Sequence, residues 1–175
     1  MGSAGRAWAS QLPARRVSDL AMVANRRRAW SVWGEDGRDR MAHWLVKSEP
    51  AKYAFADLQR DGRTVWDGVR NNAAALHLKA MKTGDEVLYY HSQEGLAVVG
   101  VAKVVKEAFL DPSDPAGRFV AVELAPVRAL NKPVSLAAMK ANPALAGLEM
   151  IRQGRLSVSP VRDDEWAAIL KMAGG

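Results

Sequence analysis

No cysteine occurs among the 175 residues. Disulfide scaffolding, thiolate catalysis and Cys-ligated zinc or iron–sulfur sites are therefore excluded at the outset. Histidine is nearly as scarce: His43, His77 and His91 are the whole supply, so a three-His metal site would consume all of them. GxGxxG and GxxxxGK(S/T) loops are absent, which weakens nucleotide-cofactor readings, and neither HExxH nor G-x-S-x-G is present. Ser92 follows His91, but neighbours on a strand point to opposite faces, so adjacency makes no triad. Glu49 and Asp67 remain as an acid/base pair with no activated nucleophile beside them, and no catalytic activity is expected. The apolar runs fall far short of the ~20 residues that a membrane span needs. With no secretory apolar region either, the expectation is a cytoplasmic monomer without membrane partner, metal or cofactor.

What is present is ordinary globular material: 49% hydrophobic and 25% charged residues, enough for one core or one core with an appendage. The net charge of +6 would suggest an anionic partner if it were spread evenly. It is not. Residues 1–40 hold eight arginines, no lysine and four acids, so they carry +4, while residues 41–175 carry only +2. The first 40 residues also hold Pro13, Trp8, Trp30 and Trp33 outside any clean period, and end in the polar run Gly34 to Arg40. Val17, Leu20, Ala21, Val23 and Ala24 can form one short amphipathic helix, marginal alone. This segment is read as a basic extension, disordered or dispensable. A nucleic-acid-binding arm and an Arg-rich targeting peptide are the rival readings, with Asp19, Glu35, Asp36 and Asp39 against the latter.

From Met41 the pattern becomes regular, and 41–173 is read as the folded domain. His43 to Lys47 alternates as a strand and stops at Pro50; Phe55 to Leu58 reads as a short helix, and Thr64 opens a second strand. A helix follows from about Asn72 to Met81, capped by Asn71 or Asn72, with Ala73, Leu76, Lys79 and Ala80 on one mixed face. Glu86 to His91 and Leu96 to Val105 read as an antiparallel pair, and Asp111 to Gly117 as a surface loop. Phe119 to Val127 is a further strand, Pro133 to Lys140 a helix with Ser135 as cap, and Asn142-Pro143 a helical turn. Met150 to Arg155 reads as a loop, Leu156 to Ser159 as a strand, and Asp163 onward as a last helix with Trp166, Ile169 and Leu170 on one face. Short strands interrupted by modest helices argue against a doubly wound sheet and for an α+β fold, a small open barrel or strongly curved mixed sheet.

Five segments then occur in order: Trp44-Leu45-Val46-Lys47-Ser48-Glu49-Pro50; Trp66-Asp67-Gly68-Val69-Arg70-Asn71; Gly84-Asp85 with Tyr89-Tyr90-His91-Ser92; Val98-Val99-Gly100; and Arg152-Gln153-Gly154-Arg155-Leu156-Ser157-Val158. Together they resemble the EVE domain family of the PUA-like superfamily, over about residues 42–172. Gly154, where a larger or hydroxyl residue is common, and the Ala73-Ala74-Ala75 run depart from the family pattern. The resemblance implies a PUA-like pseudobarrel of about five to six mostly antiparallel strands with flanking helices. It also implies a concave pocket for a nucleic-acid base, of the 5-methylcytosine or 5-hydroxymethylcytosine type, flipped from DNA or RNA. An RNA-binding accessory module and a sensor of small nucleobase-like ligands are the alternatives.

Base capture needs flat surfaces for stacking and a few fixed polar groups for the base edge. Trp66, at a strand-to-loop junction before Gly68, is the first stacking candidate and alternatively a buried anchor; Trp44 is balanced between core and pocket wall. Of Tyr89 and Tyr90 one should be core and the other available, and alignment with the family favours Tyr90-His91-Ser92 as the ligand-facing group. Lys47, Ser48 and Glu49 end a strand, where polar groups are presented, and Glu49 or Asp67 can accept from a cytosine amine. Asn71 can bind a base or cap a helix. Val69 and Leu156 can line the apolar side, with Ser157 beside them. Arg70, Arg152 and Arg155 can contact phosphates or form internal ion pairs.

Overall fold

The computed structural model describes residues 41–175. The basic extension, with its short helix and three tryptophans, lies outside the described residues. Strand β1 (His43–Ser48) leads to helix α1 (Phe55–Asp61), strand β2 (Thr64–Trp66) and helix α2 (Asn72–Ala80). Strands β3 (Glu86–His91), β4 (Ala97–Leu110) and β5 (Val120–Ser135) follow, then helix α3 (Leu136–Ala141), a 3₁₀ turn (Pro143–Leu145) and helix α4 (Glu149–Arg152). Strand β6 (Val158–Val161) and helix α5 (Asp163–Met172) end the chain.

All six strands form one sheet in the order β2-β5-β4-β3-β1-β6. Every neighbouring pair is antiparallel except β1 and β3. The long β4–β5 pair breaks register at several points between Val98 and Phe109, and such irregularities bend a ribbon and raise its twist. The result is an α+β fold with a curled, mostly antiparallel sheet, consistent with a PUA-like pseudobarrel. Among the described residues no helix is long and apolar enough to cross a membrane.

Side chains alternate across the sheet, and both of its faces are covered. Trp44 and Val46 of β1 and Val87 and Tyr89 of β3 enter one core, with Phe55 and Leu58 of α1 and Ala74 and Leu78 of α2. Leu45, Leu88 and Tyr90 enter the other, with Met139 of α3, Met150 of α4 and Trp166 and Ile169 of α5. Two readings change here. Tyr90 is 3% exposed because its face is buried too, so the two tyrosines divide between two cores, with Tyr90 also at the wall of a smaller cavity. Helix α2 buries Ala74, Ala75 and Leu78 and leaves Leu76 outside, because alanines allow close approach to the sheet where a leucine would hold it off.

Other boundaries move for local reasons. Pro133 belongs to β5, in the stretch between Ala129 and Val134 where the ladder skips and needs no donor. Ser135 caps α3 by accepting from the Ala138 amide. The segment read as a loop after Met150 contains α4, whose Met150 anchors it in the second core. β6 starts two residues late because Leu156 closes a turn by donating to the Gln153 carbonyl.

Gly100 is the tightest point of the first core. A Cβ placed there would lie 2.4 Å from the ring of Phe55. Phe55 packs edge-on against Tyr89, at 5.3 Å between centroids, and Tyr89 edge-on against Trp66, at 5.5 Å. The glycine therefore seats a column of three aromatic rings. Gly100→Ala is expected to cost about 1–3 kcal/mol by overpacking, read as a lower midpoint in denaturant unfolding. A wild-type midpoint would show that the Phe55 ring can move aside.

Candidate functional site

The column ends at an open cavity of about 770 Å³. Its position follows from the one parallel pair in the sheet: β1 and β3 finish side by side, Ser48 opposite His91, and the Ser92 amide extends the ladder to the Ser48 carbonyl at 2.9 Å. The segments after β1 and β3 thus leave from the same end, and the turn before β6 meets them there through the Lys47 amide and the Ser157 carbonyl, 3.0 Å apart. Lys47, Ser48, Glu49, Trp66, Asp67, Val69, Arg70, Ser92, Arg155 and Ser157 all line the cavity.

Each wall is held by named contacts. The Tyr53 carbonyl accepts from the Ser48 hydroxyl at 2.7 Å and from the Tyr89 hydroxyl at 2.9 Å, so the segment after β1 is tied to two strands at once. Burial pushes the Tyr89 phenol up to about 12, so it stays a neutral donor across the physiological range. Trp66 is partly exposed and lines the cavity, its indole held at a steep angle against the Tyr89 ring. Lys47 donates to the Gly154 carbonyl at 2.8 Å and lies 5.9 Å from the centre of the Tyr90 ring; burial lowers its ammonium from the ordinary value. Lys52 pairs with Glu49 at 3.0 Å on the rim.

The opposite wall, Asp67 to Arg70, is organised from behind by Asp111. Its side chain is fully buried and accepts from the Gly68 amide at 2.9 Å, Arg70 Nη1 at 2.7 Å, and the Ser113 amide and hydroxyl at 2.7 and 2.6 Å. Burial alone would raise this carboxyl; the hydrogen bonds from Ser113, Arg70 and Gly68 outweigh it and hold the group well below the usual carboxylate range. Gly68 takes φ 74°, a left-handed turn that aims its amide at Asp111. Arg70 also lies 5.2 Å from the centre of the Phe119 ring. The loop beginning at Asp111 is therefore no plain surface loop: its first residue is the support of a cavity wall.

Six other candidates sit elsewhere. Trp44 is a core residue, 7% exposed, whose indole N–H donates to Asp85 Oδ2 at 2.9 Å. Leu156 is buried in the first core and Tyr90 in the second. Asn71 caps α2 by accepting from the Ala74 amide at 3.0 Å. His91 accepts the Phe55 amide through Nε2 at 3.1 Å, which requires a neutral ring, and burial lowers its pKa in keeping with that. Arg152 is outside the cavity, 4.0 Å from Glu149. Lys52, Tyr53, Thr64, Val65 and Gln93 line the cavity without having been singled out, and so does Gly154, noted in the sequence only as a departure from the family pattern. Pro50 had signalled the turn that brings Lys52 and Tyr53 back; nothing in the pattern placed the others at the cavity.

Chemically the cavity offers one indole, hydroxyls from Ser48, Ser92 and Ser157, carboxylates from Glu49 and Asp67, and four cations. Lys52 and Arg70 have carboxylate partners, whereas Arg155 has none among the described residues. Among the described residues no group of His, Cys, Asp and Glu could hold a metal ion.

Residues 42–172 match the model of the EVE domain. Thymocyte nuclear protein 1 of Homo sapiens is 31% identical over 165 residues, covering 75% of this chain and 73% of that protein. Among solved structures, a Rhodopseudomonas palustris protein determined by NMR superposes with a TM-score of 0.73 at 45% identity, covering 76% of this chain and 93% of its own. The human THYN1 protein in complex with 5-methylcytosine-containing DNA superposes with a TM-score of 0.71 at 29% identity, covering 77% of this chain and 98% of that one.

Proposed function

The chain belongs to the EVE domain family, and from that premise we propose that it is a non-catalytic reader of nucleic acid that accepts one modified cytosine, unpaired or flipped from the duplex, in the cavity beside Trp66. The observation that carries the reading is the convergence on that cavity of an indole, strand-end hydroxyls and carboxylates, and an arginine with no acid partner among the described residues. The relative bound to 5-methylcytosine-containing DNA supports the choice of base.

In this reading the base stacks on the Trp66 indole, and Glu49 or Asp67 accepts from the exocyclic amine. Ser48, Ser92 and Ser157 complete the edge, and Val69 meets the 5-methyl group. Arg155 takes the phosphate, while Arg70, already engaged by Asp111, shapes the wall and adds charge. The cavity volume suits a ligand of nucleoside size, since such pockets span roughly 300–1,000 Å³.

The test is equilibrium binding to oligonucleotides identical except for one cytosine methyl group, single- and double-stranded, at a stated salt concentration. Tighter binding of the methylated member is expected, and the free nucleoside should bind more weakly than the same base in a strand. Equal affinity for both members would overturn the modified-base reading.

A further inference from the structure

The cavity beside Trp66 does not end at its rim. Lys47, Ser92, Gln93 and Gly154 line it and also line a second cavity of about 370 Å³. The partition between them is thin. It contains the hydrogen bond from Lys47 Nζ to the Gly154 carbonyl, 2.8 Å long, and Gln93, the only non-glycine residue at positive φ among the described residues. A Cβ added to Gly154 would meet nothing within 4 Å, so the space beside that glycine is open.

Beyond the partition the walls change character. Leu96, Leu136, Met150 and Ile151 form an apolar surface, Ser92 and Gln93 supply neutral polar groups, and Lys47 and Lys140 supply the charge; no carboxylate lines this cavity. Leu96 is 43% exposed, so its side chain is accessible at this surface. Leu96, Leu136 and Lys140 then continue into a third, more open depression of about 420 Å³. The three hollows form one continuous run, and the second is within the size range of small-ligand pockets.

Resting on the reading of the first cavity, we infer that the second cavity takes the nucleotide adjacent to the captured one. Its base lies against Leu96 and Leu136, and the linking phosphodiester passes over Lys47. A nucleotide is a flat, weakly polar base with an anion on either side; the cavity is an apolar surface with lysines and no acid. A base held beside Trp66 must send its phosphodiester out across the rim, and this is the neighbouring exit that continues as a groove. The third depression gives the direction in which the strand leaves, along the start of β4 and α3.

The test uses the full chain and fluorescence anisotropy with single-stranded oligonucleotides carrying one 5-methylcytosine. One is intact, one abasic at the 5′ neighbour, one abasic at the 3′ neighbour, and a fourth has unmodified cytosine. One abasic probe should bind about tenfold more weakly than the intact one, a difference of about 1.4 kcal/mol, and the other nearly as well. Leu96→Asp and Lys140→Glu should each weaken the intact probe by a similar factor and erase its advantage over the abasic one, leaving the methyl preference unchanged. Lys140 is exposed, so its variant keeps the test open should Leu96→Asp fail to fold. Equal binding of all three methylated probes, equal losses for both abasic positions, or wild-type behaviour of Lys140→Glu would overturn the inference. If the unmodified probe binds as tightly as the methylated one, the reading of the first cavity falls, and this inference with it.

Discussion

Trp66→Ala is expected to abolish the preference for the methylated oligonucleotide and to leave only weak, salt-sensitive binding. Stacking a base on an aromatic face contributes about 1–3 kcal/mol, roughly a 5- to 150-fold change in affinity. In the proposed pose the indole also presses the base toward Val69, so the methyl contact should be lost together with the stack. Because Trp66 packs edge-on against Tyr89 as well, the variant should lose some stability. Trp66→Phe separates the two effects: it keeps a smaller aromatic face against Tyr89 and should retain part of the preference. A Trp66→Ala protein that still favours the methylated probe by the wild-type ratio would remove the indole from the site.

The second large effect is expected from Asp111→Ala, at a residue that does not line the cavity. The substitution leaves the Gly68 and Ser113 amides and the Ser113 hydroxyl without their acceptor; both residues are exposed, so water replaces part of it and the cost is about 1–2 kcal/mol. The part due to Arg70 is smaller than its 2.7 Å contact suggests, since that side chain is 41% exposed and screened by solvent. With the support gone, the Asp67 to Arg70 wall loses its position and affinity should fall roughly tenfold, about 1.4 kcal/mol. The pH dependence has a definite sign. The folded carboxyl titrates below its unfolded value, so its stabilisation is complete above about pH 4 and fades as the pH drops further. The stability gap between wild type and Asp111→Ala should therefore narrow on acidification below that point. A gap that is constant with pH, or absent, would show that Asp111 is not the support.

Much of this arrangement is legible in the sequence, and the failures have identifiable causes. β1 and β3 are visible because their alternation and turn signals are local, and α5 because its acids and its Trp166–Ile169–Leu170 stripe agree. The outward placement of Leu76 and the burial of Tyr90 depend on what covers each face, which no window of sequence contains. Asp111 follows the same logic. Asp-Pro-Ser is a turn signal, and Asp111 does form that turn by accepting from the Ser113 amide, but its second role is to meet Arg70, 41 residues earlier in the chain. The strand ends that line the cavity were legible through their ordered motifs. Gln93 was not, because it contributes backbone shape rather than side-chain chemistry, and Gly154 stood out only as a departure from the family pattern, its carbonyl contact to Lys47 being invisible there.

The lone parallel pairing of β1 and β3 has a consequence for how the specificity of such a protein can change. The segments 49–54 and 92–95 both leave from the same end of the sheet, behind which the strands are locked into two cores. Exchanges within those short segments alter what the cavity admits while leaving the buried framework untouched. Drift in the framework reaches the cavity along the ring column seated on Gly100 and through the buried Asp111 carboxylate behind Gly68 and Arg70. Inheritance can thus vary the guest and the host almost independently, with those two places as their points of linkage.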